Sequence, residues 1–162
     1  MNIYFHYLKI GYPREIKQPI YQPSHHVMYG VLKNKCRSSC MVCNDIASFN
    51  DIDKNIARKA FTMLYMYCTT GLPLKDLYAH EKGAYHEAFS VKIGNLEKKV
   101  IRIRKSDIRI YFVFLEKKLV IFCVKIKKEN KLSKGEIEHM SSIVRNIFEY
   151  ENDSDFNKRL IK

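Results

Sequence analysis

A chain of 162 residues and 19.2 kDa that is 46% apolar, with 11 Tyr and 9 Phe, buries one core of ordinary size; two full domains and a disordered chain are both excluded. Twenty-nine Lys and Arg against seventeen Asp and Glu leave a formal charge of +12, which favours a polyanionic partner because each phosphate neutralised releases condensed counterions. No apolar run approaches the roughly 18 residues of a bilayer span, and the basic residues interleave with apolar ones instead of lining an amphipathic surface helix, so nucleic acid ranks above a membrane as the partner.

Met1 to Ile10, MNIYFHYLKI, is rich in aromatic and β-branched residues and reads as a strand. It carries no basic n-region, leucine-rich core or small-residue cleavage site, so the expected location is the cytoplasm. From Gly11 to Asn50 three prolines, Pro13, Pro19 and Pro23, break the pattern; HHVMYGVL suits one short strand, and the stretch as a whole reads as an irregular, cysteine-containing insertion. From Asp51, the residues Ile52, Ile56, Ala60, Met63, Leu64 and Tyr67 recur at helical spacing until Gly71 and Pro73 stop the run. Four candidate strands follow, HEAFSVKI, KKVIRIRK, DIRIYFVFL and KLVIFCVKI, separated by Gly94-Asn95, Ser106-Asp107 and Glu116-Lys117-Lys118, which predicts an antiparallel meander. Alternation in KKVIRIRK puts Arg102 and Arg104 on one face and Ile101 and Ile103 on the other. Ser133 followed by Glu136 is a capping box opening a second helix to Tyr150, with Ile137, Met140, Val144, Ile147 and Phe148 as its apolar stripe. Residues 151–162 read as a polar, frayed tail. The predicted class is α+β, a small antiparallel sheet with helices packed on it, in a single domain spanning 1–162.

The spacing C-x3-C-x2-C of Cys36, Cys40 and Cys43 matches a radical iron–sulfur motif, but no glycine-rich cofactor segment follows and the chain is too short for the associated barrel. A Cys3His zinc site completed by His25 or His26 is the stronger metal reading, although the nine residues between His26 and Cys36 exceed common finger spacings. A local redox pair and plain unligated thiols remain open beside it. Cys68 and Cys123 lie in apolar runs and read as core.

Three stretches carry a family resemblance: VIRIRKSDIRIYFVF, KLVIFCVKIKKENKLSKGEIEHM and TTGLPLKDL. Together, from Leu72 to Tyr150, they resemble the RelE/ParE superfamily of bacterial toxins, most closely its HigB-like branch. The resemblance implies an endoribonuclease that cuts mRNA on the ribosome without a metal cofactor and is neutralised by a cognate antitoxin. It matches Arg109 to the strand arginine that holds the scissile phosphate, Arg102 to the arginine of the preceding strand, and Lys127, Lys128 and Lys131 to the basic loop. Glu129 falls where the RelE pattern has a second catalytic Arg, and no Tyr occurs in the last helix before Tyr150. That departure favours a HigB-like arrangement in which Lys and His move the protons.

The chemistry agrees with those residue types. Attack of a 2′-hydroxyl on the adjacent phosphorus concentrates negative charge on the non-bridging oxygens, so preorganised cations supply the largest stabilisation. The planar fork of Arg109 binds two such oxygens, with Arg102 or Arg104 beside it. His86 is the candidate general acid or base, with His80 behind it, and Lys128 in KIKKENK is the alternative, its pKa lowered by neighbouring cations. Lys82, Lys125, Lys127 and Lys131 are candidate phosphate contacts, and Tyr85 and Tyr111 candidate base-stacking groups. The plain alternatives are arginines that solvate a sheet face, a surface histidine and packing tyrosines. A rival function is a toxin or regulator that holds nucleic acid without cutting it, or inhibits gyrase as ParE-like proteins do.

Overall fold

The computed structural model describes residues 2–10, 26–77, 83–127 and 131–162. Six strands form one sheet: β1 (Tyr4–Tyr7), β2 (Val27–Leu32), β3 (Tyr85–Ile93), β4 (Leu96–Lys105), β5 (Ile108–Leu115) and β6 (Lys118–Ile126). Their spatial order is β1-β2-β6-β5-β4-β3. The fold is α+β, as expected, and β3 to β6 form the predicted meander. The sheet is mixed, however, because β2 runs parallel to β6, with Val27 opposite Lys118 and Gly30 opposite Ile121. All six residues of VMYGVL are buried, which makes β2 an interior strand covered on both faces. Within the described part of the expected irregular insertion, residues 26–50, Val27–Leu32 is therefore integral to the sheet.

All three meander turns place positive φ at their first central residue: 62° at Gly94, 53° at Ser106 and 53° at Glu116. Such turns match the right-handed twist of the strands they join. Gly94 meets the requirement without strain, whereas Ser106 and Glu116 adopt it with a Cβ.

Helices cover both faces. On one side lie α1 (Met41–Ala47), α2 (Asp51–Thr70) and the single turn α3 (Leu74–Leu77); on the other lie α4 (Lys134–Phe148) and α5 (Asp153–Lys158). In α2 the Asn50 side chain accepts from Asp53 N at 2.8 Å and Gly71 ends the helix at φ 71°. Its buried stripe is Ala57, Ala60, Phe61, Leu64 and Cys68, so the expected stripe is rotated, and Ile52 is 73% exposed. The α4 capping box forms as predicted, Ser133 Oγ accepting from Glu136 N and a Glu136 carboxylate oxygen accepting from Ser133 N.

The expected frayed tail is ordered. Phe156 of α5 is fully buried, stacked 4.3 Å from Phe5 and edge-on to Tyr29, and Lys118 pairs with Asp153. Phe5 N donates to Arg159 O and Ile161 N donates to Phe5 O, which seals the free edge of β1. One aromatic among polar neighbours is enough to dock a helix when it meets a complementary pair of rings.

Candidate nucleic-acid interface

Strand pairing builds the basic surface. Antiparallel register sets His86 opposite Arg102 and Arg102 opposite Tyr111, which in turn faces Cys123. The neighbouring row runs Arg104, Arg109, Lys125. Ile101 and Ile103 pack into the core under α2, so the alternation expected for β4 holds and both rows occupy the α4 face. A bulge between Tyr111 and Phe112 places Phe122 and Cys123 together on this face and keeps the second row in line.

Between the first of these rows and α4 opens a cleft of about 320 Å³, lined among the described residues by His86, Ala88, Arg102, Tyr111, Lys131, Leu132 and Ile137. His86 and Lys131 are exposed at it. Arg102 is 6% exposed and donates from Nη2 to Gly83 O at 2.8 Å, while its buried Nε has no hydrogen-bond acceptor. Burial lowers its pKa from the usual arginine value, and nearby Arg104 lowers it further. Burial likewise pushes the Tyr111 hydroxyl up to about 12, against the pull of Arg102, so it is a neutral donor at physiological pH.

Arg109, expected at the scissile phosphate, stands beside the cleft. It is 2% exposed and its Nη1 donates to Ser106 O at 2.8 Å, the carbonyl of the positive-φ turn residue. Burial, then Arg102 and Arg104, lower its pKa. The residue that reaches the cleft from this cluster is Arg102.

Lys125 and Lys127 each lie 2.9 Å from a Glu136 carboxylate oxygen. The Ser133 N–H and these two ammonium groups hold the Glu136 carboxyl well below the usual range. Glu136, legible in the sequence only as a cap, thus ties the start of α4 to the end of β6; nothing local signals a pairing across that separation. Tyr85 packs on the opposite face, with the core under α2, and is not part of the cleft. Lys82, His80, Lys128 and Glu129 lie outside the described residues, as does His25.

Among the described residues, the expected zinc set is not brought together. His26 packs against Tyr67 and Phe114, its Nε2 3.5 Å from Tyr67 Oη, and burial lowers its pKa. Cys36 is exposed, with its sulfur 2.9 Å from Ser38 Oγ. Cys40 and Cys43 do meet, at the start of α1, and their neighbour is His6 of β1. Cys68 is buried in the core, as its sequence context predicts, and burial pushes its thiol up to about 12, whereas Cys123 is half-buried at the edge of the core, where burial and then the Asp45 carboxylate push its thiol up to about 12.

No protein-family model, curated protein or solved structure matches this chain. The likeness to the RelE/HigB branch therefore rests on the three sequence stretches alone. Within the described residues no helix is long and apolar enough to cross a membrane.

Proposed function

We propose that this chain is an mRNA endoribonuclease of RelE/HigB type, a toxin acting on ribosome-bound message and held in check by an antitoxin. The observation that carries the reading is the cleft in which Arg102, His86 and Tyr111 meet, with Arg104 and Arg109 in the row behind it. Arg102 presents a guanidinium to a phosphate in a partly desolvated setting, where charge stabilisation is worth most. Arg104 and Arg109 strengthen the positive potential from below. His86, exposed opposite Arg102, takes the 2′-hydroxyl proton or returns one to the 5′-oxygen as the P–O bond breaks. Tyr111 donates a hydrogen bond to the phosphate or the neighbouring ribose, and Lys131 contacts the backbone beyond it.

Primer extension on total RNA after a pulse of expression tests this. Discrete mRNA ends that disappear in Arg102→Ala and His86→Gln support it. Intact mRNA with growth arrest preserved in both variants sinks it in favour of a non-cleaving or gyrase-directed protein.

A further inference from the structure

The α2 face of the sheet, away from the arginine rows, carries a second cluster. His6 Nε2 lies 3.2 Å from Cys40 Sγ, and the ligand atoms of His6, Cys40 and Cys43 all fall within 4.8 Å of one another. We propose that these three residues form a binding site for a soft divalent cation of the zinc class, with water in the fourth position. Two thiolates and an imidazole are a donor set suited to a tetrahedral zinc centre, in which metal–ligand bonds of about 2.0–2.3 Å place donors roughly 3.3–3.8 Å apart, close to the His6–Cys40 separation of 3.2 Å. Cys40 is 1% exposed within the apolar core, and there its sulfur also faces an imidazole nitrogen, which a cysteine serving only as filler does not require.

The framework around the ligands is rigid. Cys40 is the N-cap of α1, its sulfur accepting from Cys43 N at 3.2 Å, and its backbone bridges to Leu32 of β2. The turn before it is fixed by Ser39 Oγ, which donates to Cys36 O at 2.6 Å. Asp45 Oδ2 accepts from Val124 N at 3.0 Å and anchors α1 to β6. His6 sits opposite Gly30, and a Cβ at position 30 would come within 3.0 Å of His6 Nε2 and 2.9 Å of Leu8 Cδ2. The missing side chain of Gly30 is the space the imidazole occupies. A bound metal would clip β1 to α1 across 34 residues of chain, restricting the unfolded state.

Cobalt(II) titration of the full chain, purified under reducing conditions, tests the site. One cobalt per chain is expected, with thiolate-to-cobalt charge-transfer absorption that zinc removes by displacement. His6→Ala and Cys43→Ser should each abolish that band, and Gly30→Ala should weaken binding about 10- to 100-fold with all three ligands retained. Cys36→Ser should leave the titration unchanged. Circular dichroism on each variant separates lost ligation from lost fold. A folded wild-type chain with no charge-transfer band overturns the proposal, as does a band that survives Cys43→Ser or His6→Ala, or one that vanishes in folded Cys36→Ser.

Discussion

Arg104 and Arg109 stand directly opposite each other on neighbouring antiparallel strands, on the face that also carries Arg102. Like charges so placed repel each other, and together they raise the positive potential of this face. Arg104→Thr is therefore expected to weaken RNA binding by removing one of three neighbouring cations. In a salt titration of binding to single-stranded RNA, the slope of log K against log salt should shallow by about 0.7 if one phosphate contact is lost. An unchanged slope would remove Arg104 from the interface.

On the proposed endoribonuclease reading, Arg102 and His86 make separable contributions to cleavage. Arg102→Ala should reduce the single-turnover rate about 10²- to 10³-fold, the usual effect of removing one preorganised donor from developing charge. Arg102→Lys should recover little, because an ammonium group lacks the planar fork. His86→Gln should lower the rate about 10²- to 10⁴-fold and leave RNA affinity nearly intact, since the imidazole serves proton transfer.

How far the sequence foretells these features depends on range. Local signals held: Ser133 and Glu136 made their capping box, Gly94, Ser106 and Glu116 turned the meander, and alternation in β4 put Arg102 and Arg104 together. Long-range contacts carried no local signature. Nothing within VMYGVL specifies a parallel partner at Lys118–Ile126, and nothing in ENDSDFNKRLIK separates Phe156 from a solvated aromatic until the Phe5 ring is in place. The same limit applies to the sites. His6 lies far along the chain from Cys40, so spacing rules that search nearby histidines pointed to His26. Arg109 has the residue type for phosphate contact, but in the fold it is buried, with its Nη1 donating to Ser106 O.

The Glu136 carboxylate gives the fold a defined acid sensitivity. Its folded-state pKa is depressed, so the stabilisation is fully present above the unfolded value of about 4.3 and is lost as pH falls toward the folded value. Thermal melts should show wild type losing stability more steeply below about pH 4.3 than Glu136→Gln. At neutral pH that variant should be about 1 kcal/mol or more less stable, having weakened both the cap and the links to Lys125 and Lys127. Parallel pH profiles for the two proteins would contradict the assignment.

Phe156→Ala should cost about 3–5 kcal/mol in chemical unfolding, because the ring is enclosed by Phe5, Tyr29 and the Lys118 ammonium. Phe156→Leu, which keeps most of the volume, should recover more than half of that loss. An effect below about 1 kcal/mol for the alanine variant would mean that α5 is not part of the folded core.

The parallel pairing of β2 with β6 also sets an order of events during synthesis. Val27–Leu32 is made about ninety residues before the strand it pairs with, and the outer edge of β1 closes only when residues 159–161 arrive. Until then β1 and β2 have each other as partners, but the outer edge of each remains open. More than a hundred residues must be made before these first strands can be finished, and that interval is when chaperone binding or mispairing would have the most effect.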